Sequence, residues 1–317
     1  MDLNELIGPS VLLTLFAAAI RLGAPIAIAA VGECFCERTG VYNLGLEGVM
    51  LMGAMSGFVI EFQTNSPTLG ALASIIGGVV MGCISAFMLV DLKIDQVVAG
   101  ISVTILGGGL SAFLYNAATA NSTAPSIDGF KVLRIPILGS LPGVGLVFFQ
   151  QTVIVYFGFF MMAVVAWILK RSTFGLIVTA AGDHPDALNA AGRSVRLTRW
   201  SGVVLSCAMA GLAGGALVSG VGVFREYMTA GRGWVAISMV ILARWNPIGS
   251  VFGGLLFGLF DALQLRVQAI SGGVESSIPY EFFQALPYIA TLFVVIVATI
   301  RNRRGGEPIF LGIPYIG

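Results

Sequence analysis

The chain has 317 residues, 57% hydrophobic and only 10% charged, with a net charge of +1 and a mean hydropathy of +0.93. Soluble domains carry roughly 25% charged residues, so a water-soluble globule is excluded, and the near-neutral balance gives nucleic acid no electrostatic footprint. Cys34, Cys36, Cys83, Cys207 and the lone His184 form neither a CxxC redox pair nor a zinc signature, so no metal site is expected; Cys83 and Cys207 sit in apolar runs and read as packing residues.

The first segment, MDLNELIGPSVLLTLFAAAIRLGAPIAIAA, has an acidic leader without Lys or Arg, so it reads as a retained span rather than a signal peptide. A membrane span takes roughly 20 apolar residues, and such runs fall at 10–31, 44–62, 69–90, 94–117, 149–169, 201–221, 233–245, 248–267 and 282–300. The expected fold is therefore an all-α, polytopic membrane helical bundle of about 8–10 transmembrane helices, best counted as nine. It forms a single domain over 1–317. The seventh run is short enough to be a half-helix. Two glycine-punctuated, polar segments, 32–48 and 222–233, each precede a shorter apolar run, the pattern of discontinuous helices in an inverted repeat.

Charge away from the ends of the spans is sparse: Arg21 in the first run and Asp261 in the eighth. An ionised side chain costs roughly 2.5–3.5 kcal/mol at a helix centre, so each should meet a polar interior or a partner. Arg21 reads as snorkelling or as a subunit contact. Asp261 either meets a polar substrate or bonds a neighbouring helix, with Gln264 one turn on. The pairs Gly78/Gly82, Gly211/Gly215, Gly249/Gly253 and Gly254/Gly258 have the spacing that lets helices approach closely, within the bundle or at a subunit interface.

The most charged long segment, KRSTFGLIVTAAGDHPDALNAAGRSVRLTR at 170–199 in the 170–200 loop, lies between two apolar runs. Its Lys170, Arg171, Arg193, Arg196 and Arg199, together with Arg301, Arg303 and Arg304, place this loop and the C-terminus in the cytoplasm by the positive-inside bias. Counting back puts 32–43 and 91–95 inside and 118–148 outside. Arg225, Arg232, Lys131 and Arg134 then fall outside, against the bias. Within the loop, Pro185 suits a first helical turn, Asp183 or His184 the cap, Asp186 the N-terminal dipole and Gly192 the stop. Such a two-turn helix is too short to stand alone in water and needs a docking partner.

No GxxxxGK[ST], Gly-x-Ser-x-Gly, HExxH or acid pair occurs, so the chain carries no phosphate-binding loop and no hydrolytic site of its own.

The segments 37–48 (ERTGVYNLGLEG), 95–100 (DQVVAG), 171–175 (RSTFG), 244–247 (RWNP) and 308–315 (PIFLGIPY) span nearly the whole chain. Through them it resembles ABC importer permease subunits of the ribose/branched-chain amino acid type, closest to the simple-sugar/nucleoside permeases. The resemblance implies a permease that is not itself an enzyme, in the cell (inner/plasma) membrane, translocating a nucleoside or simple sugar. The implied partners are a cytoplasmic ABC ATPase, an extracytoplasmic substrate-binding protein and a second permease, a longer homologue in a heterodimer. No cofactor would bind this chain; ATP-Mg would sit on the ATPase. The loop helix at Asp183, His184, Pro185, Asp186, Ala190, Ala191 and Gly192 matches the family's coupling helix, with His184 standing where a small polar residue is the family pattern.

The alternative is an ion-coupled secondary transporter or channel, although a proton relay would need more carboxylates or histidines at depth than Asp261. A membrane-embedded enzyme would need a His or carboxylate cluster at one face, and the sequence shows none. Pathway candidates are the polar groups near helix breaks or inside spans: Asn43, Gln96, Asn116, Asp261 and Gln264.

Overall fold

Long apolar runs with few internal breakers give long helices. The computed structural model, which describes residues 9–120, 124–136, 138–141, 143–270, 280–301 and 306–316, is built almost wholly from them. In chain order these are α1 (Pro9–Arg38), α2 (Leu46–Thr64), α3 (Pro67–Ala86, closing in a π-turn to Asp91), α4 (Gln96–Thr119), the short α5 (Val144–Phe148), α6 (Val153–Arg171), α7 (Thr173–Asp183), α8 (Pro185–Ala190), α9 (Val195–Val221), α10 (Arg232–Leu242), α11 (Pro247–Ile270) and α12 (Tyr280–Arg301). One small antiparallel ribbon interrupts the pattern: β1 (Val132–Arg134) pairs with β2 (Gln150–Thr152), Leu133 facing Gln151.

All nine expected runs fall on helices, and six helices among the described residues are long and apolar enough to cross a membrane. The chain is a multi-pass membrane protein. Three boundaries differ from the sequence reading. The first helix runs on to Arg38 rather than stopping near 31, because Glu33 and Glu37 find internal partners. The helix after the charged loop starts at Val195 rather than 201. The loop itself is largely helical, since α7 (11 residues) and α8 (6 residues) both lie in it.

Contacts sort the connections into two ends. Arg38, Lys170, Thr179 and Trp245 line one cavity, and Lys93, Arg193, Arg196 and Arg199 another; these belong to the basic end. Glu61, Asn65, Asp128 and Lys131 gather at the opposite end, where Ile127 N–H also donates to Gly222 O at 2.9 Å. The start of α1 lies there too, with Thr14 and Arg21 beside Arg134 and Gln150. This alternation is the one expected from counting spans. Arg303, Arg304 and the side chain of Arg301 lie outside the described residues.

α2 is buried around most of its circumference, against α3, α4 and α9, while α1 packs on α9 and α11. A helix apolar all round belongs in such a centre. Glycine makes these contacts close. A Cβ on Gly53 would fall 2.4 Å from Gly211 Cα, and one on Gly78 2.2 Å from Cys207 O. Gly254 and Gly258 meet Ala27 and Gly23 of α1, and Gly249 and Gly253 meet Ala243 and Met239. All four glycine pairs are thus used inside this bundle. Cys207 is buried as expected, but Cys83 is exposed: it lies on the outward side of α3, away from the α9 seam that Gly78 and Gly82 occupy.

Candidate functional site

Two regions concentrate polar chemistry: a projecting helix at the basic end and a charged layer inside the bundle.

The projecting helix is α8. Ser172 ends α6 and caps α7, its Oγ accepting Gly175 N–H at 3.0 Å. A Cβ on Gly175 would fall 2.2 Å from Ile168 O, so only glycine lets α7 fold back this tightly on α6. α7 carries the chain to His184, where backbone φ −144° breaks the helix and Pro185 starts α8. Asp186 lies in the first turn, complementing the dipole. Gly192, at φ +73°, ends the unit while Arg193 N–H returns to Leu188 O at 3.2 Å. Pro185 and Leu188 face inward, whereas His184, Asp186, Ala190, Ala191 and Gly192 face out. Neither candidate cap works through its side chain: His184 holds the cap position without a cap bond, and Asp183 Oδ1 instead accepts Ile309 N–H at 3.3 Å.

That last bond introduces the C-terminal tail, which straps α8 to the bundle. Phe310 N–H donates to Gly182 O (2.8 Å), Gly312 N–H to Gly40 O (3.1 Å) and Arg199 Nη1 to Ile313 O (2.8 Å). Tyr315 packs against Ala181, Leu188 and Val195, joining the base of α8 to the start of α9. Nearby, burial and the carboxylates of Glu37, Glu307 and Glu33 push the Tyr42 phenol up to about 12, so it stays neutral at ordinary pH.

The inner layer starts from two connections that enter from opposite ends and meet. Residues 39–45 lead from α1 into α2, and 222–231 lead from α9 into α10. At 11 residues α10 is about 16 Å long, half of a bilayer core of roughly 30 Å, so it is a half-helix. Glu47, in the first turn of α2, caps it: one carboxylate oxygen accepts the Thr229 hydroxyl and Gly231 N–H (2.8 Å), the other Gly233 N–H (2.7 Å). Beside it Arg232 Nη2 meets Asp261 Oδ2 at 2.8 Å. Asp261 sits about 21 Å along α11 at 1.5 Å per residue, deep in the bundle. The Tyr288 hydroxyl of α12 donates to Ala230 O in the same layer.

Towards the basic end lies a second buried cluster. Glu33 accepts Asn43 N–H (2.9 Å) and the Ser206 hydroxyl (2.8 Å). Glu37 accepts the indole N–H of Trp245, and Arg38 donates twice to Trp245 O at 3.1 and 3.0 Å. The ends of α1 and α10 are thereby fastened together.

The family model "Branched-chain amino acid transport system / permease component" matches residues 15–296. The chain belongs to this permease family. It is 34% identical over 316 residues to the "Putative glucose ABC transporter permease protein TsgC13" of Haloferax volcanii, with 94% of each chain covered. The nucleoside ABC transporter permease protein NupC of Lactococcus lactis is 31% identical (92% of this chain, 93% of that one), and the guanosine ABC transporter permease protein NupQ of Bacillus subtilis 29% (94% and 95%). In the same three organisms a second, more distant relative is longer, this chain covering 76–82% of it. The fold is similar to that of a solved chain described as an "inward-facing conformation of a putative metal-chelate type ABC transporter", with TM-score 0.51, 17% identity, 90% of this chain and 86% of that one covered.

In this permease the family-like segments sit where the geometry needs them. Asp95 caps α4, accepting Val97 and Val98 N–H at 3.0 and 3.1 Å, and the next residue, Gln96, accepts Tyr42 N–H at 2.7 Å. Arg244 and Trp245, at φ 54° and 56°, form the left-handed turn that aims the indole at Glu37.

The five pathway candidates are not brought to one place. Asn43 and Gln96 share the 39–45 connection, Asn43 Nδ2 lying 3.1 Å from Cys207 Sγ. Asp261 and Gln264 lie on α11, but Asp261 pairs with Arg232, while Gln264 bonds Gln268 at 3.3 Å. Asn116 is exposed near the end of α4. Arg21 is exposed, and its Nε reaches Gln151 Oε1 at 3.3 Å. The residues that sequence reasoning missed are Glu33, Glu37, Glu47 and Arg232. The signal was present, because three carboxylates at 33, 37 and 47 are costly in so apolar a region, but 32–43 read as a connection and Glu47 fell at the start of the 44–62 run.

Proposed function

We propose that this permease is the membrane subunit of an ATP-driven importer for a neutral polar solute, a nucleoside in preference to a simple sugar. The observation that carries the reading is α8, a two-turn helix anchored by Leu188 and Tyr315 whose outer face is left open. A chain without a phosphate-binding loop needs an outside motor, and this helix offers such a motor a grip. A cytoplasmic ABC ATPase grips the Asp183–Gly192 face, binds ATP-Mg itself, and its closure pulls α8; the tail and the 39–45 connection pass that movement to the bundle. This chain binds no cofactor.

Relatives named for nucleosides, guanosine and glucose support the solute class, as does an inner layer in which Arg232 and Glu47 are each matched within the protein. The longer second relative in each of three organisms supports a heterodimer with a longer permease. An extracytoplasmic binding protein delivers the solute to the end bearing 118–148. The deciding experiment is uptake of labelled guanosine and glucose into vesicles carrying this permease with its genomic neighbours. Uptake that needs ATP and both partner proteins supports the reading. Uptake by this chain alone on an ion gradient sinks it in favour of a secondary carrier.

A further inference from the structure

At the basic end a cavity of about 420 Å³ opens between the end of α3, the α8–α9 turn and the C-terminal tail. Lys93, Arg193, Arg196 and Arg199 line it, and no acidic side chain among the described residues does. Arg196 is already matched, its Nε 2.6 Å from Asp91 Oδ1. Arg199 is not: it is 3% exposed, one nitrogen donates to Ile313 O, and its Nε and Nη2 are buried without a hydrogen-bond partner. A buried guanidinium with unmade bonds is costly, and the group that satisfies it best is a multidentate oxyanion. The N-terminus of α9, capped by Ser194 Oγ on Leu197 N–H, adds the partial positive charge of the helix dipole.

The surroundings favour one source of that oxyanion. Leu92, beside Lys93, is 53% exposed, and Leu197, beside Arg196, is 69% exposed. Leucines exposed next to basic residues, at the end of apolar helices, describe a headgroup-level position on a bilayer. Basic cavities between transmembrane helices at the cytoplasmic face recognise phospholipid headgroups by these forces.

We infer that this cavity is a phosphate site that takes the headgroup of an anionic phospholipid from the adjoining leaflet, with Lys93, Arg193 and Arg199 holding the phosphate and Leu92 and Leu197 bordering the acyl chains. The cavity wall includes Gly192 and Arg193, so a bound lipid steadies the turn that ends α8. The inference does not depend on which solute is carried.

The test uses the complete transporter in nanodiscs of phosphatidylcholine with phosphatidylglycerol, with retained lipid counted by native mass spectrometry. The wild type should retain phosphatidylglycerol selectively, and the exposed pair Lys93→Gln/Arg193→Gln should lose it by about tenfold or more, two cations at the surface being removed. Lys170→Gln, at the same end but outside the cavity, should leave retention unchanged. Equal retention of both lipids, no loss in the double variant, or the same loss in Lys170→Gln overturns the proposal. Displacement of the lipid by millimolar inorganic phosphate also overturns it, assigning the site to a soluble phosphate.

Discussion

The carboxylate of Glu47 accepts the amide N–H of Gly233 at 2.7 Å, fastening the first turn of α2 to the first turn of α10. The bond closes the space between two connections that enter from opposite ends of the bundle. It also supplies the negative charge that the half-helix N-terminus calls for.

Removing that carboxylate should therefore loosen the centre of the protein. Glu47→Ala deprives Thr229, Gly231 and Gly233 of their acceptor, and each buried donor left unpaired costs about 1–3 kcal/mol. A lower melting temperature in detergent and loss of uptake are expected. Glu47→Gln, which keeps a carbonyl acceptor, should fall between. A Glu47→Ala variant that melts with the wild type would refute this role.

The contact is also tight. A Cβ on Gly233 would lie 2.6 Å from Glu47 Cα and N, both backbone atoms that cannot swing away. Gly233→Ala should destabilise by about 1–3 kcal/mol through overpacking. Gly109→Ala on α4, where nothing lies within 4 Å, should be neutral or slightly stabilising, as helical Gly→Ala changes usually are. Equal melting of the two variants would contradict the packing argument.

The pair Arg232–Asp261 is largely buried, with side-chain exposures of 16% and 9%. Breaking such a pair from one side leaves a lone buried charge, at about 3–5 kcal/mol. Asp261→Leu should thus cost more than Arg232→Leu/Asp261→Leu together, and a thermal-melt double-mutant cycle reads the difference. Additive costs would mean that the two charges do not act as a unit.

In the turn that ends α8, Gly192 has φ +73° and open space around it. Gly192→Val therefore strains only its own turn, by about 1–3 kcal/mol, and should leave membrane insertion and cooperative melting in place. ATP-dependent uptake should drop at least tenfold as the α8 face is re-aimed. Normal uptake in this variant counts against α8 as the grip.

Cutting the chain after Glu307 removes the strap at Gly182, Gly40, Leu188 and Arg199. Amide exchange over 183–192 should accelerate while α2 and α9 remain protected. Unchanged exchange would show that α8 holds itself.

Much of this fold was legible because bilayer physics leaves few choices. Nine apolar runs became helices, the short seventh run became the half-helix α10, and Pro185, Asp186 and Gly192 took the positions their chemistry suggests. The losses share one cause. Glu33 and Glu37 look like loop residues, and Glu47 like the end of a span, to a hydropathy window, which cannot see the partners that offset their burial: Asn43, Ser206, Trp245 and the amides of α10. Arg232 read as an outer charge against the positive-inside bias for the same reason, since it lies against Asp261 inside the bundle rather than in an outer loop. α7 went unseen because its exposed Phe174 and Leu176 and its buried Gly175 and Gly182 blur the apolar stripe.

Arg232 and Asp261 are 29 residues apart in sequence. At about 5–20 residues per second, the ribosome makes the arginine roughly 1.5–6 seconds before its counter-charge exists. Through that interval α10 is too short to be inserted on its own and carries a cation that hydrocarbon rejects. Its entry into the bilayer is expected to wait for α11, the two helices integrating as one late hairpin, so that Asp261→Leu should lower the amount of inserted protein before it lowers transport.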